Sequence, residues 1–593
     1  MKESLNKILK RFLIWRIHHM SSKTFVRILS LLIGFLAGIA AVLIKYAVHF
    51  TKSILTLDFI QDYASYLYFL FPVIGITLTL LVIRYFIRDY VGHGIPSVLH
   101  ALSKDHGKIK KHNIYSSIVT SALTVGFGGS VGLEGPTIAT SGAIASNIGT
   151  SLRLNYKQLI LLLGAASAGG MAAIFKAPIA GVVFALEVIM IDMTMASIVP
   201  LLIASATGAL TSMFFLGVDF VYPVQLTESY HLSELPYYIL LGVLSGFLSL
   251  YFTRVYVYIN SFFDGIPNIW YRLLLGGSLL GLIILLFPAL YGEGYDAING
   301  SLAGNPSHVF AHTFYSGLST NFSYLLLFML LLLLFKVLAT SLTFGAGGIG
   351  GIFAPSLFLG SNLGLLFALF SNHFGLGILN VNHFAFAGMA GVIAANLHAP
   401  LTAVFLIGDI TGGYQMFIPL MIVSVISFST VKLFQSNSVY TIQLAKRGDL
   451  LTHNSDHNIL KMMNIKKLIE TNFISIHQDQ TLGDLVEVIA KSTRNIFPVV
   501  NNEGEFEGLI SMDNIRDIMF RTDLYENTKV SDLMTVPPVT VQVEEPMEQV
   551  ADKFHKSGKY NIAVLDGKKY VGFVSRAHVF TTYRKMLNYF SED

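Results

Sequence analysis

The pattern of apolar and polar positions divides the chain in two. From about residue 28 to residue 430 apolar residues run in long blocks with few charges. From residue 446 to the end the two kinds of position mix as they do in a soluble domain, and the change falls near Gly448. In the first part, residues 28–48 predict a spanning helix: the block is longer than the core of a cleaved signal and lacks a processing site, and Gly34 and Gly38 permit close packing. A second span is predicted over 66–87. Ahead of both, residues 2–16 put Leu5, Ile8, Leu9, Phe12 and Leu13 on one helical face with Lys7, Lys10 and Arg11 around it. That is the pattern of an interfacial helix with a cytoplasmic N-terminus.

The next segments, 115–124, 136–152, 158–173 and 178–190, are short and broken by glycine and proline. Many fall below the roughly 20 residues that cross a bilayer. Broken helices are tolerated in lipid only where they line a cavity or are buried in protein, so they predict a path through the middle. A second half starts near Leu235, with apolar helices predicted over 238–258, 273–287 and 324–342. It closes with a helix over 436–447 that starts on a Ser or Asn cap, carries Tyr440 in its first turn and stops at Gly448.

Three glycine-proline stretches carry the candidate chemistry: Gly92-His93-Gly94-Ile95-Pro96, Gly132-Leu133-Glu134-Gly135-Pro136 and Gly351-Ile352-Phe353-Ala354-Pro355. In each, glycines let the main chain approach a ligand and a proline occupies the first turn of a helix, where its missing N–H costs nothing. Helix N-termini carry partial positive charge and free N–H groups, so these stretches predict an anion site, with Glu134 as an acidic plug. The second and third are related by a shift of 219 positions, which sets Phe353 on Glu134 and Pro355 on Pro136. A shift of 222 sets Ala390, Gly391, Ala399, Pro400 and Asp409 on Ala168, Gly169, Ala177, Pro178 and Glu187. Two nearly equal shifts predict a duplicated membrane half with a binding site at its midplane.

Composition narrows the class. Of 593 residues 53% are hydrophobic and 13% charged, too apolar for a soluble enzyme. A net charge of +4 gives no reason to expect a nucleic-acid partner, and the absence of cysteine excludes disulfides and cysteine-ligated metals. An intramembrane metalloprotease would need a His-Glu-x-x-His helix, which the chain lacks. A divalent-cation transporter would need clustered membrane acids, yet Glu134, Glu187 and Asp409 are isolated in sequence. No catalytic residue, metal site or enzymatic activity is expected. After a polar linker, two similar units of short strands and helices follow, an α/β pair.

With these residues in hand, the chain resembles the CLC chloride channels and chloride/proton exchangers, followed by a tandem pair of CBS domains. The three stretches occur in family order with Tyr440 at the expected distance, and the likeness runs along essentially the whole chain. The resemblance implies a polytopic α-helical fold with an inverted repeat of broken helices and a cytoplasmic α/β CBS pair. Its divisions are 1–22 for the N-terminal helix, 23–448 for the membrane domain with halves at about 23–225 and 235–448, 449–467 for the linker, and 468–522 and 528–588 for the two CBS domains. It also implies a homodimer with one anion pathway per subunit, in a bacterial inner membrane with both termini cytoplasmic. The anion would be held at His93, Gly94, Ile95, Ile352, Phe353 and Tyr440, with Glu134 as the gate that competes with it and swings away when protonated.

The sequence departs from the family pattern in four places, the last of them the CBS pair. His93 stands where chloride-selective members usually carry Ser, so the preferred anion is open: the imidazole either coordinates the anion or caps the helix. Leu133 replaces the Arg or Lys that often precedes the gating carboxylate. Val188 falls where many exchangers carry an internal proton-relay glutamate, with Glu187 beside it. The valine points to a gated passive chloride channel, the alternative being a chloride/proton antiporter whose proton path runs through Glu134 without that glutamate. In the CBS pair, the positions where nucleotide-binding members use Asp are Asn514, after Ser511, and His578, after Ser575. An adenine nucleotide there is set against a pair serving dimer contact and gating alone.

Overall fold

A computed structural model describes residues 2–55, 67–92, 94–191, 194–218, 230–302, 309–310, 313, 321–413, 415–446, 460 and 463–591. His93 and residues 449–459, 461 and 462 of the predicted 449–467 linker lie outside the described residues. The chain forms two compact units, Met1–Leu450 and Leu451–Asp593.

The first unit is all helix: α1 (Lys2–His19), α2 (Ser22–Leu55), α3 (Leu70–Leu81) with a wider turn of helix at Val82–Ile87, α4 (Ile95–Ser103), α5 (Asn113–Gly126), α6 (Glu134–Ser151), α7 (Tyr156–Phe175), α8 (Pro178–Glu187) and α9 (Met195–Leu216). The later elements are α10 (Leu235–Asp264), α11 (Ile269–Leu286), α12 (Tyr295–Leu302), α13 (Phe322–Gly345), α14 (Phe353–His373), α15 (Val381–Leu397), α16 (Pro400–Ile410), α17 (Phe417–Lys432) and α18 (Ile442–Lys446). Among the described residues, eight helices are long and apolar enough to cross a membrane. The segment predicted over 158–173 is longer than expected: α7 has 20 residues and a complete capping box at Asn155 and Gln158. Its alanines and glycines read as a break in sequence, but they lie against α2, α8 and α9, where small residues let helices approach closely.

The duplication is visible as a pseudo-twofold relation. Lys176 ends α7 with φ 56° and His398 ends α15 with φ 56°, 222 positions apart. Beyond each, a helix opens on proline, and the two helices cap one another. Asp409, the penultimate residue of α16, accepts from the N–H groups of Ile179 (3.0 Å) and Ala180 (3.1 Å) in the first turn of α8. Glu187, the last residue of α8, accepts from Leu401 N (3.2 Å), Thr402 N (2.7 Å) and Thr402 Oγ1 (2.7 Å) in the first turn of α16. Each acid thus satisfies orphan N–H groups and complements the positive end of the partner helix.

The last helix is shorter than predicted. α18 begins at Ile442, after a turn in which Ser438 Oγ accepts from Thr441 N (3.4 Å) and Ser438 O from Ile442 N (3.0 Å). Tyr440 therefore sits in the turn before the helix, not in its first turn. The serine cap is where the sequence suggested, but the chain needs three more residues to turn into helical geometry.

The second unit holds two sheets. One has strand order β1-β7-β6-β5, with β1 Ile469–Glu470, β5 Val541–Gln542, β6 Asn561–Asp566 and β7 Lys569–Ser575. The other has order β2-β3-β4, with β2 Ile476–His477, β3 Ile496–Val500 and β4 Phe506–Ser511. The two repeats exchange edges, since β1 pairs antiparallel with β7 while Thr535 bridges to Leu509. Neither repeat completes its sheet alone.

Candidate anion site

The site grows from the meeting of the two glycine loops. Gly132 and Gly351, counterparts in the repeat, exchange backbone hydrogen bonds of 2.8 Å in both directions, an antiparallel bridge that lies on the pseudo-twofold axis. Helices α6 and α14 start two residues later, at Glu134 and Phe353, so both positive ends face the same point. Glu134 Oε1 accepts from Phe353 N at 2.6 Å, a charge-assisted length. The carboxylate lies directly over both glycines, where a methyl group at either would collide with it. Glu134 is 1% exposed, and Phe353 is fully buried with its ring against Phe175.

A cavity of about 500 Å³ reaches this point from one side. Its walls include Gly92, Ser97, Tyr256, Gly350, Gly351, Ile352 and Tyr440, together with His100, Lys108 and Lys110. The Tyr440 hydroxyl is buried and, among the described residues, has no hydrogen-bond partner. A buried unpaired donor is costly unless something fills the space it faces. Gly94 adopts φ 73° and lies against Gly135, so the start of α4 is packed onto the start of α6; Ile95 is fully buried. Of the sequence-predicted anion residues, the structure thus groups Glu134, Ile352, Phe353 and Tyr440, with Gly94 and Ile95 behind them.

Sequence reasoning passed over a charged group beside this site. Lys336, in the apolar α13, is fully buried; its Nζ donates to Ser130 Oγ (2.8 Å) and Gly292 O (3.3 Å) and lies 4.8 Å from the Phe358 ring centroid. The cation absent at Leu133 is therefore delivered to the same glycine loop from another helix. Lys45 of α2 donates to Ile174 O (2.8 Å). A single lysine inside an otherwise apolar helix was the available signal.

The remaining candidates lie elsewhere. Glu187 has both oxygens occupied in the cap of α16, and Val188 is a buried aliphatic residue after it. In the second unit, Ser511 Oγ donates to Asn514 Oδ1 (3.0 Å). Ser575 Oγ donates to Glu470 Oε1 (2.6 Å) and accepts from His578 N (3.2 Å), while Arg494 Nη2 donates to Glu470 Oε2 (2.7 Å). The Ser575 hydroxyl is thus committed to the Glu470 carboxylate, which Arg494 also holds.

The family model described as voltage gated chloride channel matches residues 74–432, and that of the CBS domain matches 465–521 and 530–585. The chain belongs to the CLC family. It is similar to the H+/Cl− exchange transporter ClcA of Vibrio cholerae, 30% identical over 431 residues, which are 70% of this chain and 88% of the relative. A solved slow cyanobacterial Cl−/H+ antiporter shares the fold with a TM-score of 0.61 at 24% identity, over 72% of this chain and 98% of that one. A eukaryotic CLC transporter does so with a TM-score of 0.58 at 19% identity, over 94% of this chain and 99% of that one. This CLC protein is an integral membrane protein of the CLC anion-transport type with a CBS pair. The inclination towards a passive channel, drawn from Val188, gains no support from these relatives, of which the first is named as an exchange transporter, the second as an antiporter and the third as a transporter.

Proposed function

We propose that the protein exchanges chloride for protons across the membrane, with Glu134 alternating between the anion's place and a protonated, displaced position. The observation that carries this reading is the 2.6 Å hydrogen bond between the Glu134 carboxylate and Phe353 N at the end of the Tyr440 cavity. A chloride ion and that carboxylate compete for one set of peptide N–H donors, so protonation of the acid and arrival of the anion are linked. The exchange transporters among the relatives support the same choice.

The energetics require several donors. A bare anion in a low-dielectric medium costs on the order of 20 kcal/mol by the Born estimate, and one helix end returns roughly 0.3–2 kcal/mol. Charge-assisted hydrogen bonds at roughly 1.5–3 kcal/mol each do better, and Ile352, Phe353 and the Tyr440 hydroxyl supply them. Lys336 Nζ donates to Ser130 Oγ and Gly292 O and helps hold the glycine loop in the geometry that presents those donors. The protein acts as a homodimer in the bacterial inner membrane with cytoplasmic termini, and the CBS pair serves subunit contact and gating without adenine nucleotide.

The test is a reversal-potential measurement on reconstituted protein under a proton gradient. An exchanger shifts its reversal potential with pH; a potential that follows chloride alone overturns the reading. Comparing chloride, nitrate, bicarbonate and fluoride in wild type and His93→Ser assigns the anion preference.

A further inference from the structure

The peptide group that donates its N–H to Glu134 joins Ile352 to Phe353, and its carbonyl end is occupied as well. Ile352 O accepts from Ser356 N (3.1 Å) and from Ser356 Oγ (2.8 Å), one turn into α14. A hydroxyl has one proton, so the serine bonds back to this carbonyl only while no other acceptor claims that proton. Asn396 of α15 fixes the direction: its Nδ2 donates to Ser356 Oγ (2.8 Å), which uses the oxygen as an acceptor and leaves the proton for Ile352 O. Hydrogen bonds in such a series polarise one another, so a carbonyl that accepts strongly makes the N–H of its own peptide a better donor.

Asn396 meets the site at a second point, because its own carbonyl accepts from the N–H of Val439 (3.2 Å), the residue before Tyr440. One residue therefore holds both the turn that carries the phenol and the serine behind the anion's peptide donor. It is fully buried, and its Oδ1 has no partner among the described residues. A buried amide with an unpaired acceptor costs stability that an aliphatic side chain would not. The first half of the repeat carries the aliphatic side chain. There the counterpart of Ser356 is Thr137, whose Oγ1 bonds back to Leu133 O (2.8 Å) in the same way, but the counterpart of Asn396 is Ile174. The amide is present only in the half whose first helical N–H meets the Glu134 carboxylate.

We propose that Asn396 is a positioning residue of the anion site: acting through the Ser356 hydroxyl, it keeps the Ile352–Phe353 peptide a strong donor to whichever of chloride and Glu134 occupies it. The inference rests on the reading in which acid and anion compete for Phe353 N, and it adds a residue that touches neither of them.

The test takes the full chain, with chloride binding read by calorimetry and chloride flux from liposomes read against pH. Asn396→Leu lowers chloride affinity about threefold and moves the pH of half-maximal flux up by about 0.5 unit, because a carboxylate held by a weaker donor takes its proton at a higher pH. A loss of folded protein would lower the amplitude of the flux and leave that midpoint in place. Ser356→Ala gives both shifts, and adding Asn396→Leu to it changes neither further. Either quantity at its wild-type value in Asn396→Leu, or the same effect of Asn396→Leu with and without the serine hydroxyl, overturns the proposal. If Asn396→Leu does not fold, Asn396→Ala replaces it: the same two shifts support the proposal, and wild-type values overturn it. Wild-type flux that does not respond to pH overturns the competition between acid and anion itself, an outcome seen before any variant is made.

Discussion

The two halves of the membrane unit meet at two crossings, and the crossings differ in one respect. Where α8 faces α16 an acid stands on each side, Glu187 and Asp409, and each caps the other's helix. Where the glycine loops meet, only the first half carries an acid; its counterpart is Phe353. A second acid at 353 would set two carboxylates against each other over the Gly132–Gly351 bridge and leave an anion no donor to approach. Symmetry is kept where the contact is static and given up where a charge must move.

The largest effect is therefore expected from removing the lone acid. Glu134→Gln abolishes proton transport, a loss of roughly 10²-fold or more, and leaves a chloride flux that no longer responds to pH. The sign in wild type follows from the competition: acidification protonates the carboxylate, frees Phe353 N and raises flux, whereas raised pH returns the acid to its place. Chloride and pH electrodes on the same liposomes measure both, and a Glu134→Gln protein that still shuts off at neutral pH contradicts the gate.

A smaller effect tests the close approach at the same crossing. Gly351→Ala sets a methyl group against the Glu134 carboxylate and Gly135 N. We expect chloride affinity to fall about tenfold, roughly 1.4 kcal/mol, as read by calorimetry. At the other crossing the positions four residues before the prolines, Ile174 and Asn396, carry side chains. Only the crossing that must admit an ion is stripped to glycine.

Much of this was legible in the sequence because it recurs there. The shifts of 219 and 222 were enough to pair Gly132 with Gly351 and Glu187 with Asp409, and glycine before a first-turn proline marked the helix starts. What periodicity could not convey was which partner each acid meets. Glu187 looked like a neighbour of a proton path because it adjoins Val188, yet its oxygens cap a helix 214 and 215 positions away. Lys336 escaped notice because it lies in no motif; it reaches the glycine loop through the tertiary packing of α13. Tyr440 was placed one turn too deep in a helix because cap residues mark where a helix can start and not how many residues it takes to do so.

At the symmetric crossing, Glu187→Ala and Asp409→Ala each remove a helix cap and should cost about 1–2 kcal/mol of stability. Thermal unfolding of the purified protein would report similar losses for the two, and unequal losses would show that the crossing is less symmetric than its hydrogen bonds. Neither carboxylate bonds to the Glu134–Phe353 pair, so proton coupling persists in both variants.

The smallest effect probes an asymmetry at that crossing. Asp409 reaches Ile179 N and Ala180 N with a single oxygen, whereas the longer Glu187 divides its oxygens between two N–H groups and the Thr402 hydroxyl. Opposite Thr402 stands Ala180, which offers no hydroxyl. Thr402→Ala removes the hydroxyl from the Glu187 cap and leaves the two N–H groups, at a cost of about 0.5–1.5 kcal/mol. A double-mutant cycle with Glu187→Ala isolates the bond, because the threonine should lose its contribution once the acid is gone. If Thr402→Ala costs as much without the acid as with it, the hydroxyl stabilises α16 by itself, and the extra donor has nothing to do with the contact between the halves.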